Sequence, residues 1–436
     1  MSSEITEPVA LDKTLQKTNF TLAEIRNVLM GDKKIGKVYG FHIDGGESVP
    51  GSNVTYIADA VGMTPAYMDF TNDVFVWGSW RDAWFIPRPC MLKYDGTVDY
   101  YLDPDDYTRK YEGGASDVAN DAYAGNAMME WGRDGKKIWY KIVPDSDTKS
   151  ASVYIADHQV DDGFMAWSFI NNQGEFVDHF YTPIYNGWYD DTRIRSISGK
   201  TPTASQNAGT ERTRCRANNA SAAIWDTEVY CDNLLIILLL TLIGKSTSSQ
   251  TVFGNGNTTG GQSGVLATGT MNSKGLFYGK SGASDTTSGV KVFGMENFWG
   301  NLWRRFGGLV NVSGTEKYKL TRGKQDGSTA TDYVVSNTAS DYDGYLVGGT
   351  LPSASGTYIN MMMWFADHFC PVAASGSETT YYCDGLWTNN GQVDYAYRGG
   401  NAGNGAPCGT FCLALYAPSS FAYWSLAAAP SCKPLS

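Results

Sequence analysis

Cys408 and Cys412 are four residues apart in Cys408-Gly-Thr-Phe-Cys412, and two close thiols of this kind could be redox-active or hold copper. On a strand those positions share a face about 13 Å apart, so a disulfide between them requires a turn. Two packed thiols on a sheet are the default expectation. The other cysteines, at 90, 215, 231, 370, 383 and 432, are irregularly spaced, which is neither a dense disulfide framework nor a Cys-x-x-Cys zinc pattern. Buried free thiols are expected, with one or two disulfides if the protein leaves the cell. Gly275-Leu-Phe-Tyr-Gly279-Lys280-Ser281 resembles a phosphate loop but is one residue short between its glycines, and that loop needs its full length to wrap N–H groups around phosphate. No Gly-x-Ser-x-Gly elbow occurs. His42, His158, His179 and His368 include no pair at metal-ligand spacing and read as structural residues. Asp341-Tyr-Asp343-Gly344 starts like a calcium loop, lacks the downstream Glu, and reads as a turn. No catalytic residue, metal or cofactor is expected.

The rest of the composition points to contact surfaces. The 436 residues are 13% aromatic and only 18% charged, with 49 Gly, 27 Tyr and 13 Trp. That much aromatic surface offsets chain entropy and excludes a disordered chain. The net charge of −11 repels phosphate backbones, so nucleic acid is not an expected partner. Met1 to Thr18 carries Glu4, Glu7 and Asp12 with no apolar core, which does not fit a secretory signal. The apolar run Leu234 to Ile243 is about half of the roughly 20 residues a bilayer demands, and reads as a helix buried on all sides rather than a membrane insertion.

Several elements follow from pattern. Asn19 to Met30 has the spacing of a short amphipathic helix, with Thr21 and Glu24 as a capping box. From Lys37 to Leu102 the clusters VYGFHI, NVTYIA, DVFVWGSW and AWFI read as strands between turns. KIWYKIV, ASVYIA and HFYTPIY are the best strands between Ala127 and Pro183. A polar loop, Ser196 to Asn207, precedes two expected helices, Glu211 to Ala223 and Asp226 to Ile243, and the remainder is short strands and loops. The expected class is α+β, in three parts: an N-terminal helical or attachment segment (1–36), a small β-rich module (37–124) and a larger domain (125–436). Such an order is not the alternating βα pattern of many enzyme cores.

Gly294-Met-Glu296-Asn297-Phe298-Trp299-Gly300-Asn301-Leu302-Trp303 resembles the Gly-Asn-x-Trp element of the C-type lectin fold of the formylglycine-generating-enzyme type, in the form common in phage tail proteins. Asp162-Gly-Phe164, Ser196-Ile-Ser198-Gly199, the apolar helix and Ser248-Ser249-Gln250 follow in the order of that family. The tail, Tyr397-Arg398-Gly399-Gly400 through Trp424 to Cys432, is similar to the variable region of proteins diversified by retroelements, the major tropism determinant type. The resemblance covers roughly residues 125–436 and implies a C-type lectin-like domain of two helices, short antiparallel strands and long loops. It also implies a non-enzymatic receptor-binding protein at a phage tail tip or fibre, made in the host cytoplasm and exposed on the virion after lysis. Implied partners are a bacterial surface receptor, protein or glycan, other tail proteins, and two further copies in a trimer.

In that family a fixed framework carries positions that scatter by mutation. Framework candidates are Arg398, Gly399, Gly400, Gly405, Gly409, Phe411, Leu413, Leu415 and Ala428. Between them, Ala402, Asn404, Pro407, Thr410, Cys412, Ala414, Tyr416, Phe421, Ala422, Tyr423 and Ser425 are candidate receptor-binding positions, joined by Tyr395 and Tyr397, within a variable region at about 395–432. The residues support a contact face independently. Alternation along Phe411 to Tyr416 sends Phe411, Leu413 and Leu415 to one side and Cys412, Ala414 and Tyr416 to the other, so one face can pack while the other is free. Tyrosines among Ser, Ala and Gly supply contact area at low entropy cost. Trp299, Trp303 and Trp424 are expected in the core. The alternative is a formylglycine-generating or sulfatase-modifying oxidoreductase using a Cys pair, for which Cys408 and Cys412 have the wrong setting. A calcium lectin lacks its Glu-Pro-Asn and Trp-Asn-Asp ligand motifs here.

Overall fold

A computed structural model describes residues 36–282, 287, 289–321 and 333–435; the expected helix at 19–30 lies outside them. Strand outnumbers helix throughout, and the described residues hold three α-helices, Ala208–Arg216, Tyr230–Gly244 and Ser249–Phe253. The class is therefore β-rich α+β. Three sheets carry the architecture.

The first is four-stranded and antiparallel, in the order Val54–Ala58, Val38–Ile43, Ala151–Ala156, Trp139–Pro144. Its strands alternate as their sequences demand: Tyr140, Ile142, Val153 and Ile155 are buried while the residues between them are more open. The second has six strands, ordered Trp225–Thr227, Pro430–Cys432, Phe180–Pro183, Gly125–Trp131, Arg88–Lys93, Val98–Tyr101. Gly125–Trp131 lies in its middle and all of its residues are buried. The expected boundary between residues 124 and 125 does not separate sheets, because strands from both sides of it pair in the first sheet and in the second. AWFI, expected as a strand, instead forms successive turns, with Ala83 and Ile86 donating to the carbonyls three residues back.

The third sheet is mixed. Its path runs Leu346–Thr350, Thr315–Tyr318, Trp303–Val312, Val393–Arg398, Leu413–Leu415, Gly385–Thr388, Ala354–Tyr358, and Leu426–Ala427 adds in parallel beside Trp303–Val312. Tyr230–Gly244 packs against Trp303–Val312 of the third sheet and against the turn Trp167–Phe169, and is buried along its whole length as the run of Leu and Ile implies. It is too short to cross a membrane, and no helix among the described residues is long and apolar enough to do so.

Helix starts differ from expectation. Asn207 caps the first helix by accepting from the Thr210 N–H at 2.9 Å, and the helix ends at Arg216. Asp226, expected inside the next helix, sits in a strand paired with Pro430–Cys432, where its carboxylate binds Arg212 and Arg216, each at 2.9 Å. Sheet pairing and those two arginines override the local helical pattern.

The Gly294 to Trp303 segment is a hairpin followed by a turn that gathers loops. Glu296 accepts from the Gly269 and Met271 N–H groups at 2.8 and 2.9 Å, and its N–H donates to Ile184. Asn301 accepts from the Leu266 N–H at 2.8 Å, and Trp299 Nε1 donates to the Gly254 carbonyl at 3.1 Å. Gly300 N–H reaches the Gly399 carbonyl at 3.0 Å. The segment thus ties residues 254–271 to the loop that follows Val393–Arg398.

Candidate functional site

The C-terminal candidates hang on Val393–Arg398. This strand pairs with Trp303–Val312 on one side and Leu413–Leu415 on the other, setting Tyr397 opposite Arg305 and Ala414. Arg398 is buried and anchors the strand end, donating to Glu228 at 2.7 Å, while Arg304 approaches the same carboxylate at 3.3 Å. Gly399 then turns at φ 87°, where an added Cβ would sit 2.8 Å from the Phe298 carbonyl oxygen, so only glycine fits without strain.

From Tyr416 to Ser425 the chain crosses the sheet as a loop pinned by its backbone. Ala417 O accepts from Tyr395 N–H at 2.9 Å, Ser419 O from Ala208 N–H at 2.9 Å, and Tyr423 O from Ser205 N–H at 3.0 Å. Arg305 Nη2 donates to Phe421 O at 2.7 Å, and Asn337 Oδ1 accepts from Ser419 N–H at 2.8 Å. Ser425 O accepts from Trp303 N–H at 2.8 Å. With so many bound carbonyls, the backbone of the loop is held in place before any partner arrives.

What they form is a continuous aromatic strip. Trp387 meets Trp303 at 5.3 Å between ring centroids, and Trp303 meets Tyr397 at 5.5 Å. Tyr397 then meets Tyr416 at 5.7 Å, Tyr416 meets Phe421 at 6.2 Å, Phe421 meets Tyr423 at 6.0 Å and Tyr423 meets Trp424 at 6.0 Å. Most of these contacts are edge-on or tilted, the favoured arrangement for aromatic pairs. The strip rises from the core to solvent: Tyr397 is 1% exposed, Tyr416 37% and Tyr423 52%.

The candidate positions divide along it. Tyr416, Ala422 and Tyr423 are exposed, and Asn404, Pro407 and Phe421 are half-buried. Tyr395, Tyr397, Ala402, Thr410, Cys412, Ala414 and Ser425 are buried. The expectation of a free face at Cys412, Ala414 and Tyr416 therefore needs correcting at its first two members. Those two do point away from Phe411 and Leu415, but into a second small core with Trp303, Tyr397, Ala417 and Leu426. The returning loop supplies that cover. Ala402 is buried between Gly261, whose N–H donates to its carbonyl at 2.6 Å, and Asn301, whose carbonyl accepts from its N–H at 3.1 Å. Trp424, expected in the core, is half-buried at the end of the strip, whereas Trp299 and Trp303 are buried as expected. Trp387 also belongs to the strip, on the four-residue strand Gly385–Thr388, which is too short to carry a periodic signal.

The thiols are poorly placed for chemistry. All eight cysteines are free and buried. Burial pushes the Cys408 and Cys412 thiols up, and the nearby Asp384 carboxyl adds to it in both. Among the described residues no three His, Cys, Asp or Glu side chains gather in a metal-binding arrangement. No protein-family model matches the chain, and comparison with curated proteins finds no match.

Proposed function

We propose that this chain is a non-enzymatic receptor-binding protein of a phage tail, with a C-type lectin-like domain that presents the Tyr416 to Trp424 loop to a receptor on the bacterial surface. One observation carries the reading: an aromatic strip that passes from core to solvent on a loop whose carbonyls are already bound. Rigid tyrosines on a fixed backbone lose little entropy on contact and make good binding anchors. The sheet beneath supports them, so exposed positions can change while the scaffold stays. Diversification of those positions, and assembly as a trimer that turns weak single contacts into avidity, belong to the same proposal. The alternative oxidoreductase requires an accessible thiolate, and deep burial of Cys408 and Cys412 weighs against it.

The test is adsorption. Particles carrying Tyr416→Ala with Tyr423→Ala are expected to adsorb to their host at least tenfold more weakly, while the purified protein keeps its melting temperature. Undiminished adsorption by the double variant would sink the reading. Turnover of a Cys-containing sulfatase peptide, abolished by Cys408→Ser, would favour the oxidoreductase.

A further inference from the structure

We infer that a cavity formed by Val74–Val76, the start of Arg88–Lys93 and residues 273–278 is a separate binding site, and that its ligand is an acidic oligosaccharide. The cavity holds about 750 Å³, within the range of small-molecule sites, and none of its lining residues belongs to the aromatic strip.

Its aromatic wall is rigid. Phe75 stacks on Phe277 with centroids 4.3 Å apart and planes 7° apart, and Trp77 stands edge-on to both, at 5.0 and 5.3 Å. Each of these rings is fixed by the others, so the wall costs little entropy to present. Tyr111 stands at the rim, 71% exposed. With Phe75 and Phe277 stacked on each other, half-buried Trp77 and exposed Tyr111 are the rings left to cover the apolar C–H side of a pyranose.

The polar groups supply what a sugar's edge and an acid require. Asp73 and Asp105 offer acceptors for hydroxyls, and Lys274 lies 3.6 Å from Asp73. Arg88 is held by Glu130 at 2.6 Å and lies over the Tyr101 ring at 4.3 Å. Arg81 differs from its neighbours: it sits 5.8 Å from the Trp77 ring centroid and makes no ion pair with any described residue. An unpaired guanidinium beside a fixed indole suits a sugar ring that stacks on the indole and carries an acidic group within reach of the guanidinium. Two features favour the acidic sugar over a nucleotide. The cavity is open, with Val74 and Tyr111 exposed at its edge, and has room for several rings in succession. Lys274, Arg88 and Arg133 are already paired with Asp73, Glu130 and Asp134, so Arg81 is left as a single cation that matches one isolated carboxylate better than a run of phosphates.

The experiment is a glycan array bearing oligosaccharides of glucuronic, galacturonic and sialic acid beside neutral oligosaccharides, followed by calorimetry with the best binder and with adenosine monophosphate. Acidic members are expected to bind in preference to neutral ones. Arg81→Glu, at an exposed position, should weaken that binding at least tenfold with no change in melting temperature, and Trp77→Ala should abolish it. The inference is overturned if no acidic member binds, if Arg81→Glu binds as well as the native protein, or if adenosine monophosphate binds as tightly as the saccharide. Loss of saccharide binding in Tyr423→Ala would assign it to the aromatic strip and likewise overturn the cavity.

Discussion

His368 shows how a single residue is fixed by neighbours that sequence cannot place. Its ring is fully buried and lies between Tyr318, with centroids 3.7 Å apart, and Phe365, at 4.3 Å. Nδ1 is 2.9 Å from Asp367 and Nε2 is 3.3 Å from the buried Glu316. Burial alone would lower the imidazole's pKa, but the carboxylates of Asp367 and Glu316 outweigh it and hold it above its ordinary 6.5. A raised folded value means that the ring's contribution to stability is complete below pH 6.5 and is lost as pH rises through the folded value. Thermal denaturation of the native protein and His368→Gln should therefore differ most below pH 6.5 and converge at higher pH; a difference that grows with pH would refute the assignment. His368→Ala is expected to cost about 3–5 kcal/mol, because it leaves Glu316 buried without a cation. That the histidine is structural was legible from its isolation in the sequence. Its partnership with Glu316 was not, since the two residues meet only through packing of distant strands.

Among the elements, the loop from Tyr416 to Ser425 decides which positions can be rewritten. Tyr397 and Tyr416 touch within the same strip, yet Tyr397 is 1% exposed and Tyr416 37%. Removing the ring of Tyr397 empties a packed site beside Trp303 and Ala414, so Tyr397→Ala is expected to cost about 3–5 kcal/mol by chemical denaturation. Tyr423→Ala, at an exposed site, should stay within about 0.5 kcal/mol of the native protein. Equal losses in the two variants would contradict this division. Strand alternation made the opposite orientations of Leu415 and Ala414 readable in advance, because a period of two is local. It could not reveal that the loop beginning at Tyr416 would fold back over Cys412 and Ala414 and bury that face as well. The same limit applies to Asp226: a helical pattern continued through it, and the strand Pro430–Cys432, some two hundred residues away, drew it into a sheet.

For the whole molecule, the sequence reads as a small β-rich module (37–124) followed by a larger domain (125–436), while the pairing binds early and late segments together. Val38–Ile43 pairs along its full length with Ala151–Ala156, and Arg88–Lys93 with Gly125–Trp131. The early segment also caps the central helix: Ala66 N–H donates to the Ile243 carbonyl at 2.7 Å, and Thr247 N–H donates to Pro50 at 3.2 Å. Phe41, Trp80, Phe85 and Tyr107 fill the same core as Leu234 and Trp299. A chain cut to residues 125–436 would lose those side chains and leave two strand edges unpaired, one of them beside a strand with every residue buried. It is therefore expected to aggregate or to unfold without a cooperative transition, whereas the full chain melts in one. The two strands Val38–Ile43 and Arg88–Lys93 lie within residues 36–124, so supplying that segment as a separate polypeptide should restore soluble, cooperative material if sheet pairing is what the truncation removes. Cooperative melting of residues 125–436 alone, at the temperature of the full chain, would instead make the earlier strands an accessory layer and the boundary at 124 a true domain limit.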